Sequence, residues 1–407
     1  MQMSCKAHRE ACLGRASGIV GGMDSRDVIY LDHAAATPMG ASALEAMRPY
    51  LADEFYNPSA PYIQAVRVRE AYERARAVLA HAVGGRPAEV VITAGATESI
   101  GLALGSADGP VVTTAIEHAA VLEALTGREH EIVPVDRFGR VSPEDIERAI
   151  TPQTRLVSVG LANNEIGTVQ PMRAISAVVR AERMRRLSAG STVPIHLHCD
   201  ASQGAGLVDT NVSTLGVDLL TLNAAKVYGP KQVGMLWASP EVALRPILAG
   251  GGQERGLRSG TENVAGAVGF AAALDEAVRD RKAEAARLKG LRDHLEGELL
   301  RAFPQAVTSG HRRHRLPSFC HISFPGIDAE RLVFLLEDVG VLVGTGAACA
   351  ANKGTGSHVL RAIGLPEEVA QGSLRLSLGR LSTPENTDRA ISLIIAAVRS
   401  EYERIAR

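Results

Sequence analysis

The chain has few aromatic residues, few cysteines and almost no net charge, and each shortage narrows the classes of protein to which it can belong. Only 4% of the 407 residues are aromatic, and the formal net charge is -1. A balanced charge gives no support to a nucleic-acid or membrane-surface partner. No apolar run reaches the roughly eighteen residues that a spanning helix needs, which argues against a membrane protein.

The cysteines do not form a recognisable pattern. They are too few and too scattered for a disulfide framework. No CxxC pair occurs, so we expect no structural zinc site, and we do not expect the Cys5, His8, Cys12 spacing to bind a metal. A reducing cytoplasm is the expected compartment. The cysteines are Cys5, Cys12, Cys199, Cys320 and Cys349.

Residues 1–27 are expected to form a flexible N-terminal extension. They carry Lys6, Arg9 and other charges, and they lack the apolar stretch of a signal peptide. Met23 is an alternative start, and the sequence gives no role for this leader.

Seven short apolar runs predict the strands of one mainly parallel sheet. Most are β-branched and nearly continuous, which is typical of strands covered on both faces. Predicted helices lie between several of them, including one that begins at Ser142-Pro143 and one over 173–187. We therefore expect an α/β fold. The runs are 90–93, 111–114, 131–135, 156–161, 195–200, 219–222 and 234–238.

After about residue 266 the pattern changes, which predicts a second, smaller α+β domain. Leu288, Leu291, Leu295 and Leu299 recur at helical spacing, short strands follow at 318–323 and 375–378, and a terminal helix begins at Thr383. We assign residues 40–280 to a large domain, and residues 28–39 and 281–407 to the small one.

Lys226 is the most informative residue because of its position. It follows the apolar run 219–222 and precedes the turn 228–231. Desolvation beyond a buried strand lowers the pKa of a lysine amine and makes it nucleophilic. Such an amine is suited to bind a carbonyl cofactor such as pyridoxal phosphate.

Polar side chains follow five of the seven predicted strands, at the edge where open parallel sheets bind ligands. Ala96 and Thr97 begin a helix that suits a phosphate. Asp200 suits a pyridinium nitrogen, which needs a carboxylate to stay protonated. His118 can stack on a ring and move protons. Taken alone, each of these residues is better explained as a helix cap or a turn residue. Taken together, their residue types fit the binding of pyridoxal phosphate.

Three further side chains complete the predicted site. Gln203 and Asn164 can hydrogen-bond the phenolic oxygen of the ring or the substrate. Arg375 carries a guanidinium group, which can donate two parallel hydrogen bonds to the carboxylate of an amino acid.

Three loops carry additional information. The glycine-rich stretch 250–261 follows no βαβ start, so it predicts a loop at a subunit boundary or near a phosphate rather than a dinucleotide site. The small residues of 344–357 surround Cys349 and favour a reactive thiol over a buried one. The basic run 311–315 predicts a solvated loop or, alternatively, a docking site for an acidic partner.

Taken in order, these motifs resemble the cysteine desulfurases, the pyridoxal-phosphate enzymes of the class V aminotransferase group. The likeness runs from Tyr30 to the C-terminal helix, and the loop around Cys349 resembles the long-loop subgroup, which serves iron–sulfur cluster assembly or tRNA thiolation. The matching motifs are TAGATES (93–99), EH (117–118), NNEIG (163–167), DASQ (200–203), KVYGPK (226–231), residues 250–261, the Cys349 loop and SLRLS (373–377).

The resemblance implies the pyridoxal-phosphate fold type I, with the cofactor in the large domain. Lys226 would hold it covalently, and Cys349 would take sulfur from L-cysteine as a persulfide, releasing L-alanine. Asn164 and Arg375 would bind the substrate. Thr261 would reach the cofactor phosphate of a partner subunit, which implies a homodimer. The remaining cofactor-binding residues would be Ala96, Thr97, His118 (also catalytic), Asn164, Asp200, Gln203 and Asn223.

One departure from the family pattern leaves alternatives open. The family usually has serine and histidine where this chain has Asn223 and Ala225. A lost charge-assisted contact costs roughly 1.5–3 kcal/mol of cofactor binding. This departure favours a weakly active sulfur-carrier scaffold as one alternative. A selenocysteine lyase and another class V aminotransferase, which share the fold, are further alternatives, and the sulfur acceptor is not identified.

Overall fold

The computed structural model describes residues 28–345 and 356–407, which fold around two sheets. The larger sheet has the strand order β2-β8-β7-β6-β5-β3-β4, and every strand except β8 runs in the same direction. The predicted α/β fold and its seven strands are confirmed. The strands are β2 (Val90–Thr93), β3 (Val111–Thr114), β4 (His130–Val133), β5 (Leu156–Gly160), β6 (His196–Asp200), β7 (Leu219–Asn223) and β8 (Gly234–Ala238).

Helices cover both faces of this sheet, which explains why its strands are apolar almost throughout. On β5, Val157 packs into the core on one face and Leu156 into the core on the other. Ser142 caps its helix as predicted, because its hydroxyl accepts the N–H of Glu144. The helices are α1 (Ala41–Ala52), α2 (Ile63–Ala82), α3 (Ala96–Gly105), α4 (Ala119–Ala124), α5 (Pro143–Ala149), α6 (Met172–Ser188) and α7 (Val212–Leu215).

A single long helix, α8 (Val264–Ala302), connects the two sheets. Its first half packs on α1 and α2, and Leu288, Leu295 and Leu299 from its second half enter the core of the smaller sheet. The boundary predicted at 280–281 thus falls inside a continuous helix rather than in a linker.

The smaller sheet has the order β1-β11-β12-β10-β9, and its first strand pairs in parallel with β11. The hydroxyl of Thr383 caps the terminal helix by accepting the N–H of Asn386. The elements of this part are β1 (Ile29–Leu31), β9 (Val307–Ser309), β10 (Phe319–Ser323), α9 (Ala329–Asp338), β11 (Val341–Thr345), α10 (His358–Ala362), α11 (Glu367–Ala370), β12 (Ser373–Ser377) and α12 (Pro384–Ile405).

Two absences hold for the part of the chain that the structure describes. None of its helices combines the length and apolarity needed to cross a bilayer. No group of three or more His, Cys, Asp and Glu side chains there is arranged to hold a metal ion.

A buried ion pair fixes the glycine-rich loop 250–261 to the large sheet. The carboxylate of Glu254 accepts two hydrogen bonds of 2.6 Å from Arg76, one of 2.8 Å from the Tyr72 hydroxyl and one of 2.8 Å from the N–H of Ile92. Glu254 adopts a positive φ of 49°, a conformation that is costly without such contacts.

We predict that Glu254→Ala strongly destabilises the protein, because it leaves the buried guanidinium of Arg76 without its main partner. Breaking a buried pair in this way costs about 3–5 kcal/mol. The melting temperature of the purified protein measures the effect. Glu70→Ala, which removes the exposed Glu70–Arg74 pair, is the control and should change stability by less than about 1 kcal/mol; equal losses in both variants would contradict the prediction.

Candidate active site

The carboxyl ends of β2, β3, β5, β6 and β7 lie along one edge of the large sheet, and the predicted site residues follow them. At β2, α3 begins at Ala96 without any side-chain cap. A Cβ added at Gly95 would meet no atom within 4 Å. The space beside Gly95 is therefore open, and the first N–H groups of α3, which no side chain caps and which include that of the exposed Thr97, can bind a phosphate.

Asp200 ends β6 and is half-buried. One oxygen of its carboxylate accepts the N–H of Ser202 at 3.0 Å and the Ser202 hydroxyl at 2.6 Å. Gln203, on the turn that follows, donates its amide to the carbonyl of Ala34 at 3.1 Å. The two bonds from Ser202 fix the carboxylate of Asp200 at the sheet edge. The bond to Ala34 uses the NH2 group of Gln203 and leaves its side-chain oxygen as a possible acceptor.

Lys226 ends the 3-10 turn Ala224–Lys226, directly after β7. Its ammonium donates to the carbonyls of Ala34 and Ala35 at 2.8 and 2.6 Å. The side-chain oxygen of Asn223 accepts the N–H of Ala225 at 3.1 Å and so caps the turn. The lysine thus lies at the predicted edge, and the segment after β1 contacts it, which the sequence did not predict.

His118 begins α4, and its Nδ1 accepts the N–H of Ala120 at 3.0 Å. The neutral ring therefore carries its proton on Nε2. Desolvation lowers the pKa of His118; the charge of Asp200 opposes this, and the charges of Lys226 and His358 add to it. His118, Asp200 and Lys226 thus lie at or just past the carboxyl ends of β3, β6 and β7 on the same sheet edge, where the charges of Asp200 and Lys226 act on the His118 ring.

Arg375 lies on β12 and is buried. It donates to Asp32 at 2.7 Å and to the carbonyl of Asn164 at 3.1 Å, and its Nε has no partner among the described residues. The role of Asp32 was missed, since it follows a three-residue strand far away in sequence. The only sequence signal was its place two residues after Tyr30, where the likeness to the cysteine desulfurases begins.

The two neighbouring asparagines differ in what they can still bind. Both polar groups of the Asn163 side chain are engaged, because its NH2 donates to the carbonyl of Ile116 and its oxygen accepts the N–H groups of Glu165 and Ile166. Asn164 is half-buried, and its backbone supports Arg375. This difference favours Asn164 as the ligand-binding member of the pair.

Two buried carboxyls behind the site were not predicted as titratable groups. Glu117 accepts the hydroxyl of Thr114 at 2.6 Å and the N–H of Gly160 at 2.9 Å. Burial, reinforced by the charge of Asp200, raises the pKa of Glu117 to about 7. Burial also raises the pKa of Glu165 to about 7.

Two predicted site residues are not brought to this edge by the described chain. Thr261 is exposed, and no hydrogen bond to the other site residues is found among the described ranges. Cys349 lies outside the described residues. The segments on either side of it are described: Gly344 pairs with Arg375 across β11 and β12, and the hydroxyl of Ser357 donates to Glu165 at 2.5 Å.

Comparison with known proteins identifies the family. The model of the class V aminotransferases matches residues 29–390. The chain belongs to this family. It is 38% identical to cysteine desulfurase IscS 1 of Archaeoglobus fulgidus and 37% identical to cysteine desulfurase IscS of Dictyoglomus turgidum, over 90% of this chain and 95% and 93% of the relatives.

Solved structures agree with this family assignment. A NifS-like protein superposes with a TM-score of 0.83 at 33% identity, covering 92% of this chain and 100% of the other. A protein named SspA, solved in complex with cysteine, gives a TM-score of 0.72 at 32% identity, covering 86% and 98%. Class V aminotransferases depend on pyridoxal phosphate, and the uncapped start of α3, the carboxylate of Asp200 and the amine of Lys226 fit that group.

We predict that Glu117→Gln flattens the pH dependence of stability. Because the pKa of Glu117 is raised in the folded protein, the native state binds more protons than the unfolded state between about pH 4.5 and 7, and stability falls as pH rises through that window, by up to about 3 kcal/mol. Glutamine mimics the protonated acid, since its oxygen can accept the N–H of Gly160 while its NH2 donates to the hydroxyl oxygen of Thr114, and it removes the titrating contribution.

Thermal melts at pH 5 to 8 measure the effect. Glu165 contributes a similar slope, so part of the dependence remains in the variant. Glu123→Gln, on the exposed side of α4, is the control and should keep the wild-type slope. An unchanged slope in Glu117→Gln would show that its carboxyl does not titrate in this range.

Proposed function

We propose that this protein is a cysteine desulfurase that converts L-cysteine to L-alanine and leaves a persulfide on Cys349. The observation that carries the proposal is that His118, Asp200 and Lys226 lie at or just past the carboxyl ends of β3, β6 and β7 on one sheet edge, while β11, which precedes Cys349 in the chain, pairs with β12 at Arg375. The desulfurase names of the relatives support the same reaction.

Each site residue has a task in this reaction. Pyridoxal phosphate, when bound, supplies an electron sink to the α-carbon of an amino acid. The N–H groups at Ala96 and Thr97 would bind its phosphate, and Asp200 would keep its ring nitrogen protonated. Asn164 and the free carbonyl of Gln203 orient the ring and substrate. Arg375 binds the substrate carboxylate.

Proton and sulfur transfer fall to three side chains. The amine of Lys226 takes the α-proton, and His118 exchanges a proton at Nε2. The thiolate of Cys349 attacks the sulfur of the substrate, so that a sulfur–sulfur bond forms and the carbon–sulfur bond breaks. The electron pair of the broken bond stays with the carbon, which takes up a proton and becomes the methyl group of alanine.

A homodimer, with Thr261 reaching the phosphate site of the partner, belongs to the same proposal. Thr261 is exposed in the single chain. Exposed apolar side chains at Leu51, Phe55, Tyr62 and Ile63 are 49 to 71% accessible and lie where α1 leads into α2. A concentration of exposed apolar side chains in one segment supports a subunit interface there.

Several finer assignments remain part of the proposal. We infer a cytoplasmic enzyme with a large domain at 40–280 and a small domain formed by 28–39 and 281–407. The sulfur acceptor is a cluster scaffold or a tRNA-thiolation enzyme.

A weakly active sulfur carrier is the second candidate, and Ala225 favours it. Ala225 offers no side-chain donor to a phosphate, and the oxygen of Asn223 already caps the turn. Purified protein that stays colourless after addition of pyridoxal phosphate would support the carrier over the enzyme.

We predict that Lys226→Ala loses covalent cofactor capture. Wild-type protein treated with pyridoxal phosphate and borohydride should carry the label on the peptide that contains Lys226, because borohydride fixes the bond between amine and aldehyde. The variant should carry none, as read by peptide mass spectrometry. Lys231→Ala, at an exposed lysine on the following turn, is the matched control and should label normally; a label on any other residue refutes the assignment.

We predict that Cys349→Ser binds the cofactor but releases no sulfide from L-cysteine. Serine cannot form a persulfide, whereas the residues that hold the cofactor are untouched. The visible spectrum checks cofactor binding, and sulfide release in the presence of dithiothreitol measures turnover. Mass spectrometry of the Cys349 peptide should show one added sulfur only in the wild type. Full sulfide release by the variant would exclude Cys349 as the acceptor.

A further inference from the structure

The basic run 311–315, which the proposed reaction does not use, meets a second basic segment in the folded chain. Arg312 and Arg313 lie on the loop between β9 and β10, while Arg137 and Arg140 lie on the turn between β4 and α5. We call these four residues the arginine surface. Three of them are exposed and Arg140 is half-buried.

A buried hydroxyl joins the two segments. Thr168, which is fully buried, donates to the carbonyl of Phe138 at 2.6 Å and accepts the N–H of His311 at 3.0 Å. The rings of Phe138 and His311 lie edge to face at 5.7 Å. The N–H of Val169 also donates to the carbonyl of His314 at 2.8 Å. The arginines are therefore held together by rigid backbone contacts.

The arginine surface lacks counter-ions in the described part of the chain. None of its four guanidinium groups forms an ion pair there, whereas Arg315 of the same loop pairs with Glu296 at 2.7 Å. Asp136, the carboxylate on the turn itself, accepts the N–H groups of Phe138 and Arg140.

The charges of this surface act on each other. Desolvation and then the positive charges of Arg140, His311 and Arg313 lower the pKa of His314. Surface arginines gathered in this way repel one another unless an anion joins them.

The arginine surface lies beside the helix that follows Cys349 in the chain. A Cβ added at Gly139 would lie 2.4 Å from Ile166 and 3.6 Å from Ile363. Ile166 and Ile363 share one apolar cluster with Val359 of α10. The turn 136–140 thus packs on α10, and α10 begins at His358, shortly after Cys349.

We propose that the arginine surface docks an acidic segment of the protein that accepts sulfur from Cys349. The inference rests on the desulfurase function proposed above. A guanidinium group can donate two parallel hydrogen bonds to one carboxylate. Phe138 adds an aromatic side chain, and the Cζ atom of Arg137 lies 4.7 Å from the centre of its ring. Two short turns on a chain of net charge -1 do not form the extended basic stripe that a nucleic acid needs.

The test uses synthetic acceptors, since no partner is identified. One peptide consists of glutamates with a single cysteine, and a neutral peptide replaces the glutamates by serine. The peptide thiolate attacks the outer sulfur of the Cys349 persulfide, a new sulfur–sulfur bond forms, and Cys349 leaves as the thiolate, so no oxidant is needed. Transfer of label from radioactive cysteine to each peptide is measured, with dithiothreitol as the acceptor that needs no docking.

We predict that wild-type enzyme labels the acidic peptide about tenfold faster than the neutral one at low salt, and that the triple variant R137E/R312E/R313E loses this preference while its transfer to dithiothreitol is unchanged. The control variant R74E/R279E/R301E changes the net charge equally at exposed arginines that are paired with carboxylates, and it should keep the preference.

The possible outcomes separate the two proposals. No transfer to any acceptor would refute the desulfurase function. Normal transfer to dithiothreitol with an unchanged peptide preference in R137E/R312E/R313E would overturn the docking surface alone. A labelled single-stranded RNA of matched charge is titrated in parallel by fluorescence anisotropy. If it binds more tightly than the peptide, and the triple variant abolishes this, the surface is a nucleic-acid site and the proposal is wrong.

Discussion

The short segment from Asp32 to Thr37 is the constraint on which the site depends, because it contacts both sheets. On the side of the large sheet, the carbonyl of Ala34 accepts from Gln203 and Lys226, and Thr37 bonds the turn that carries Lys226. On the side of the small sheet, Asp32 pairs with Arg375 and His33 bonds β12. The amine and the guanidinium of the site are therefore positioned by neighbouring residues of one segment.

The charged side chains of the site include Asp32, which belongs to this segment, and its partner Arg375. The ion pair between Asp32 and Arg375 places a cation next to the β11 end that leads towards Cys349. Asp200 supplies an anion at the end of β6, and burial raises the pKa of Glu117 and of Glu165 to about 7. The arginine surface lies outside the site, and none of its four guanidinium groups forms an ion pair among the described residues.

The sequence analysis succeeded where a local pattern has one structural outcome. Continuous β-branched runs became buried strands because helices cover both faces of the sheet, and residues just past them converged because parallel strands end at one edge. The sequence analysis assigned no role to Asp32. It identified the basic run 311–315 but gave no indication that Arg137 and Arg140 belong to the same surface. The resemblance selected Asn164 rather than Asn163, but the physical reason lies in the contacts of Asn163 with Ile116 and its own turn, which only the structure shows.

By itself, the sequence determined the α/β class, the order of the strands along the chain and the identity of the polar residues at the sheet edge, since these follow from periodicity and from the residue types that pyridoxal phosphate chemistry requires. Only the tertiary structure decided that Ala34 and Ala35 hold the lysine, that Asp32 holds Arg375 and that two distant turns form one basic surface. Such contacts join segments that are far apart in the chain, and their geometry depends on packing that no local pattern encodes.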